Sequence, residues 1–199
     1  MLSILIPVYN YEVQLLVENL LNQLKTIDCC WEIILSDDAS NKYYIKRNSE
    51  FISKLNNSQI KLIQQEINIG NAANRNFLIA RASYNWLLFL DADVLPVAFN
   101  FLSIYKKQME FTTKEIITGN IVYDETKPQP HLLRWIYGKE KEEINFEKRK
   151  NKPILHARGA NFAIKKIVAK KRNFPILKEK YGFVDTRFFF NLLKIRFVL

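Results

Sequence analysis

Two pairs of aspartates draw attention by where they fall. Asp37 and Asp38 follow the apolar run at residues 31–35, and Asp91 and Asp93 follow the run at residues 86–90. In extended backbone, residues two apart point the same way, so Asp91 and Asp93 would present their carboxylates on one side. Two hard oxygen ligands placed so suit Mg²⁺ or Mn²⁺, and such an ion suits a diphosphate. An isolated Asp-x-Asp is short enough to recur by chance, and each acid could instead cap the helix after its strand. A third group favours the first reading. Asn68-Ile69-Gly70-Asn71-Ala72-Ala73-Asn74-Arg75-Asn76 sets Gly70 and Arg75 at the entrance of a helix, where free N–H groups and a guanidinium favour an anion. Taken singly, Arg75 reads as a surface ion-pair partner.

The elements that must position these residues follow from the hydrophobic pattern. Residues 2–6 form a β-branched-rich run ended by Pro7, a buried strand. Val13, Leu16, Val17, Leu20, Leu21 and Leu24 recur at helical spacing, with Asn10 as the expected N-cap. Strands are expected at 31–35, 60–63 and 86–90, and helices at 41–55 and 72–82, with Pro96 opening a further helix. Such alternation predicts an α/β domain with a mostly parallel sheet, whose ligands bind beyond the carboxyl ends of the strands. Further on, strands are expected at 116–123 and 159–164 and a closing helix at 184–193. Residues 139–152 are densely charged and read as an exposed helix or mobile loop.

The chain has 199 residues, of which 48% are apolar, enough for one domain with a real core and too many for disorder. Five Gly and six Pro exclude collagen-like or low-complexity behaviour. The vicinal Cys29 and Cys30 fit neither a disulfide framework nor a zinc site, and read as small buried apolar surface in a reducing compartment. Trp31 and Trp86 read as core strand residues, and His131 and His156 lack triad or zinc spacing. There is no signal-like N-terminus and no apolar run near the roughly 20 residues that span a bilayer. These features predict a cytoplasmic protein.

The net charge of +10 is uneven: residues 1–100 carry −2 and residues 101–199 carry +12. That asymmetry suggests an anionic partner for the second half, namely a membrane surface, a phosphate-bearing acceptor or nucleic acid, against the simpler alternative of a solvated basic face.

Taken together, the motifs resemble those of family 2 glycosyltransferases. The resemblance is carried by Leu5-Ile6-Pro7-Val8-Tyr9-Asn10, Ser36-Asp37-Asp38-Ala39-Ser40, Asn68-Ile69-Gly70 with Ala73-Asn74-Arg75-Asn76, and Phe89-Leu90-Asp91-Ala92-Asp93. Looser matches follow at Leu133-Arg134-Trp135-Ile136-Tyr137-Gly138, Gly159-Ala160-Asn161-Phe162 and Tyr181-Gly182-Phe183-Val184-Asp185-Thr186. The resemblance implies a GT-A, Rossmann-like α/β fold. Residues 1–95 would form the donor half and 96–199 the acceptor-side half of one domain, with the family's usual continuation beyond the last helix missing. It implies that the backbone from Pro7 to Tyr9 and the Asp38 carboxylate hold the nucleotide base. Gly70 and Arg75 would lie near the nucleotide or diphosphate. Asp91 would face the ribose or sugar, Asp93 would bind Mn²⁺ or Mg²⁺, and Asp185 would be the catalytic base. Where the family has a Glu before that Asp stands Val184, which keeps the base and removes a neighbouring carboxylate.

The implied reaction is inverting transfer from a nucleoside-diphosphate sugar, UDP favoured, to a hydroxyl of a glycan or lipid-linked acceptor in polysaccharide or cell-surface glycan synthesis. Docking would be peripheral, at the cytoplasmic membrane face. Three alternatives compete. A nucleotidyltransferase would open with a Gly-rich basic loop where Pro7-Val8-Tyr9-Asn10-Tyr11 stands, which disfavours it. A basic nucleic-acid-binding module would have its phosphates repelled by the acidic edge, so nucleic acid is not expected as a partner. A catalytically degenerate family member is motivated by Val184. Without the resemblance, Asp185 reads as an ordinary helix N-cap.

Overall fold

The computed structural model describes residues 1–126, 131–153, 155–176 and 184–193. The chain begins β1 (Leu2–Val8), α1 (Gln14–Leu24), β2 (Trp31–Asp37), α2 (Lys42–Leu55), β3 (Ile60–Gln64), α3 (Asn71–Arg81), β4 (Trp86–Leu90) and α4 (Phe101–Phe111). It continues through β5 (Ile116–Thr118), α5 (Leu132–Tyr137), a π-helical turn (Gly138–Glu142), α6 (Phe146–Asn151), β6 (Asn161–Lys165), α7 (Lys166–Lys171) and α8 (Val184–Leu193). The strands form a sheet ordered β3-β2-β1-β4-β6-β5. Strands β1 to β4 are parallel, and β6 runs antiparallel between β4 and β5. The start of β6 therefore lies at the same sheet edge as the ends of β1, β2 and β4.

Both faces of the sheet are covered, which is why its strands read as near-continuous apolar runs. Ile4, Ile6, Ile33, Leu35, Leu88 and Leu90 pack with Val13, Leu16, Val17, Leu20 and Leu102 on one face. Leu5, Ile34, Leu87, Phe89, Phe162 and Ile164 pack with Leu78, Ile79, Phe174, Phe188, Phe189 and Leu192 on the other. The second face is rich in aromatics; the Phe174 and Phe188 rings stack with centroids 3.8 Å apart.

Several expectations are revised. Strand β1 passes through Pro7 to Val8. The Val8 carbonyl accepts from Asp38 N–H at 2.8 Å, so Pro7 faces the opposite neighbour, past the last β1–β4 pair at Leu5, where its missing N–H breaks no ladder bond. Asn10 does not cap α1: its φ is +50°, and its Oδ1 accepts from Asn41 N–H at 2.8 Å, tying the two loops together. Asn48 of α2 holds the helix entrance instead, accepting from Val13 N–H at 3.1 Å. Pro96 lies in an irregular loop, and α4 opens at Phe101. The 116–123 strand is only the three-residue β5, and the charged 139–152 stretch is divided between the π turn, a loop and α6. Cys30 is exposed and Cys29 half-buried, so they are not core surface. Trp31 and Trp86 are likewise only partly buried, packed against the edge of the first core. Among the described residues no helix is long and apolar enough to cross a membrane.

Candidate active site

The site is built on the strand ends. After β2, Asp37 turns inward: its Oδ1 accepts from Ser40 N–H at 2.8 Å, closing a turn in which Ala39 takes φ +58°. That left-handed residue costs roughly 1–2 kcal/mol. Asp38 turns toward the 68–70 loop, where Oδ1 accepts from Ile69 N–H at 2.7 Å and Oδ2 from Gly70 N–H at 2.9 Å. Gly70 is the N-cap of α3 at φ +86° and ψ 157°, a conformation open essentially to glycine alone. In the first turn of α3, Asn74 Nδ2 donates to the Ser36 carbonyl at 2.9 Å, while its buried Oδ1 has no partner.

One turn into α3, Arg75 is fully buried. Its Nε donates to Asn71 Oδ1 at 2.7 Å, Nη1 to the Gly159 carbonyl at 2.7 Å, and Nη2 to Asp91 Oδ1 at 2.5 Å. Nη1 also lies 3.9 Å from Asp185 Oδ1. The guanidinium packs on two aromatic rings, 5.3 Å from the Phe174 centroid and 5.9 Å from that of Phe89. Arg75 is thus neither a surface ion-pair partner nor part of the cleft wall; it is the buried cation beneath it.

Asp91 and Asp93 do not sit in extended backbone. Val94 N–H donates to the Asp91 carbonyl at 3.3 Å, so a tight turn carries both acids. Asp91 is spent on Arg75, whereas Asp93 is exposed and, among the described residues, unpartnered. Burial pushes the Asp91 carboxyl above its usual range; Arg75 pulls it down, and the negative charges of Asp185 and Asp93 push it up again. Asp185 lies in the first turn of α8, and its Oδ2 accepts from Gly159 N–H at 3.1 Å. Gly159 has no room for a side chain, since a Cβ there would run into the Asp185 carboxylate. Val184, beside it, packs partly against the second core.

Pro7, Tyr9, Asp38, Gly70, Asp91, Asp93 and Asp185 all line one open cleft with a volume of about 1090 Å³. Every expected site residue except Arg75 therefore reaches the same space. The cleft also has walls that sequence reasoning did not single out as site residues: Asn74, Tyr137, Glu142, Arg158 and Thr186. Asn74 lies in the Ala73-Asn74-Arg75-Asn76 motif and Tyr137 and Thr186 in the looser matches, whereas Glu142 and Arg158 lie in none of the quoted motifs. Among the described residues no three His, Cys, Asp or Glu side chains gather as a metal cage. A free Asp93 carboxylate beside Asp91, in a cleft lined by five acids and Arg158, still fits an ion held by one or two carboxylates and completed by phosphate oxygens and water. The Tyr181-Gly182-Phe183 part of the last motif lies outside the described residues.

The sequence model described as glycosyl transferase family 2 matches residues 3–172. EpsE of Bacillus subtilis (strain 168), a glycosyltransferase by name, is 30% identical over 128 residues, covering 62% of this chain and 44% of EpsE. The Escherichia coli UDP-Glc:alpha-D-GlcNAc-diphosphoundecaprenol beta-1,3-glucosyltransferase WfgD is 31% identical over 99 residues, or 49% of this chain and 37% of WfgD. The chain thus spans less than half the length of these curated relatives. Staphylococcus aureus TarS 1-349 in complex with UDP superposes with a TM-score of 0.64 at 20% identity, over 94% of this chain and 53% of that one. Glucosyl-3-phosphoglycerate synthase from Mycobacterium tuberculosis with Mn²⁺, UDP and glucosyl-3-phosphoglycerate gives 0.61 at 13% identity, over 98% and 65%. These structures share the GT-A fold with this chain.

Proposed function

The chain belongs to glycosyl transferase family 2, and from that premise we propose that it moves a sugar from a nucleoside-diphosphate donor, UDP favoured, to an acceptor hydroxyl with inversion. The carrying observation is convergence: acids from the ends of β2 and β4 and from the first turn of α8 share one cleft although they are far apart in sequence. The bound complexes of the structural neighbours, with UDP, UDP-GlcNAc, Mn²⁺ or Mg²⁺, and the UDP-Glc donor of WfgD support the donor class.

In this reading residues 1–95 bind the donor and 96–199 face the acceptor. The exposed ring of Tyr9 and the backbone from Pro7 hold the base with Asp38, whose carboxylate also fixes the Ile69–Gly70 turn. Asp91 faces the sugar, oriented from below by Arg75. Asp93 is the residue that would hold Mn²⁺ or Mg²⁺, which when bound neutralises the charge growing on the leaving diphosphate. Asp185 accepts the proton of the attacking hydroxyl, its Oδ2 aimed by Gly159 N–H. The acceptor is a glycan or lipid-linked sugar, and work at a cytoplasmic membrane face would draw on the basic second half.

The test is calorimetry with UDP, GDP and their sugars, with and without Mn²⁺. UDP binding strengthened by Mn²⁺, with turnover of a UDP-sugar, is expected. Absence of any nucleotide binding would remove the donor assignment, and binding without turnover on any acceptor would mark a degenerate member.

A further inference from the structure

We propose that Arg158 forms an anion subsite on the acceptor side of the cleft, taking a phosphoryl group that the acceptor carries close to its attacking hydroxyl. The inference rests on the transferase reading above and adds a substrate class to it.

Arg158 lines the cleft together with Tyr137, Glu142, Val184 and Asp185. It directly precedes Gly159, whose N–H holds the Asp185 carboxylate at 3.1 Å, so Arg158 and the proposed base open onto the same cleft. Its guanidinium is under-used. Nη1 reaches the Ala157 carbonyl at 3.4 Å and Nη2 the Lys141 carbonyl at 3.2 Å, both neutral acceptors, and Nε is buried with no partner. A buried donor left unpaired is costly, and more so on a cation. The other arginines near the site are committed: Arg75 to Asp91 and Asp185, Arg134 to Glu142. Glu142, the carboxylate on the same wall, is occupied by Arg134 at 2.9 Å and by the Tyr123 hydroxyl, which limits its repulsion of an anion.

The loop that carries Arg158 gathers positive charge at His156, two residues before it. Burial pushes the His156 imidazole below its ordinary value, and Arg158, Arg149, Lys152 and Lys148 push it further the same way. Several cations converging on one loop favour a multiply charged ligand over a single carboxylate, and a guanidinium fork matches phosphate oxygens. The phosphoryl group could belong to a soluble acceptor or to a lipid headgroup.

Wild type, Arg158→Gln and Arg158→Lys would be titrated with inorganic phosphate by calorimetry, with and without saturating UDP and Mn²⁺. Wild type should bind phosphate, Arg158→Gln should bind it at least about tenfold more weakly, and Arg158→Lys should recover part, all with unchanged UDP affinity and melting temperature. Sedimentation with phosphatidylglycerol vesicles separates the sources. Vesicle binding lost along with phosphate binding in Arg158→Gln identifies a lipid headgroup, and vesicle behaviour unchanged by the substitution identifies a soluble acceptor. Equal phosphate affinity in wild type and Arg158→Gln overturns the proposal. So does a matching fall in UDP affinity, which would give Arg158 to the donor diphosphate. Failure of UDP to bind any of the proteins, with the phosphate difference intact, would instead count against the transferase reading alone.

Discussion

Arg75 Nη2 donates to Asp91 Oδ1 at 2.5 Å from a position sealed against solvent, and the same guanidinium stands 3.9 Å from Asp185. One buried cation thus touches an acid from the end of β4 and another from α8, elements separated by most of the second half of the chain. Removing either partner of such a pair leaves a charge uncompensated in a poorly solvated place, at a cost of roughly 3–5 kcal/mol. The pairing therefore serves the fold and aligns the two acids in one step.

Asp93 makes no hydrogen bond or ion pair among the described residues, so its loss should be felt mainly through what it binds. Asp93→Ala is expected to keep the wild-type melting temperature and to abolish the Mn²⁺ enhancement of UDP affinity in calorimetry. Metal dependence that persists in the variant would move the ion elsewhere.

Asp185→Asn keeps an oxygen for Gly159 N–H and removes the carboxylate proposed as the base. Transfer should fall by roughly 10²-fold or more, with UDP binding intact and a stability cost of about 1–3 kcal/mol, because the variant also removes the charge 3.9 Å from buried Arg75. A near-wild-type transfer rate would return Asp185 to the role of a helix-terminal acid.

Gly159→Ala tests the same carboxylate from its other side. The new Cβ would displace the Asp185 carboxylate. We expect transfer to drop to the level of Asp185→Asn, a destabilisation of about 1–3 kcal/mol, and unchanged donor affinity. In an Asp185→Ala background the stability cost should shrink, which a double-mutant cycle reads directly.

At the opposite sheet edge, Glu32 accepts from Ser83 N–H at 2.5 Å and Ser3 Oγ at 2.7 Å, with Lys61 at 3.6 Å. Burial works to raise its carboxyl, but the Ser83 and Ser3 hydrogen bonds and Lys61 outweigh it, so the folded-state value lies below the ordinary one. A depressed carboxyl contributes stability above its unfolded value, about 4.3, and loses it as pH falls through the folded value. Glu32→Gln should therefore cost about 1–3 kcal/mol in urea denaturation at pH 7, with the gap narrowing below about pH 4. A gap that does not change with pH would show that packing, not ionisation, sets the cost.

Much of this architecture was legible in the residues, and the exceptions have physical causes. Strand β4 falls at its expected bounds because an uninterrupted apolar run leaves little choice of what to bury. Asn10 misleads because a residue suited to an N-cap also suits a left-handed turn, and tertiary bonds to the 40–41 loop decided between them. Pro96 was compatible with a first helical turn without requiring one. The aspartates were visible as a group, yet their division of labour was not. Asp37 inward, Asp38 on a loop and Asp91 on an arginine are set by contacts thirty or more residues away for Asp38, and by a turn for Asp37. The burial of Arg75 has no local signal, because arginine is ordinarily an exposed residue and only the surrounding carbonyl, carboxylates and rings make its interior position affordable. Arg158 is hidden for a related reason: it is a lone arginine between small residues, and only the fold turns it toward the cleft.

The wall that carries Tyr137, Glu142 and Arg158 leaves the sheet after β5 and returns at β6, and both exits are fastened to one residue. Gly119 N–H donates to the Asn161 carbonyl at 3.0 Å, and Asn161 Nδ2 donates to the Asn120 carbonyl at 2.9 Å. A detour with a stapled base can be lengthened cheaply: doubling it adds only about 0.6 kcal/mol of closure entropy. The staple lets the length of this stretch change while the strand ends that carry Asp38, Asp91 and Asp93 keep their alignment.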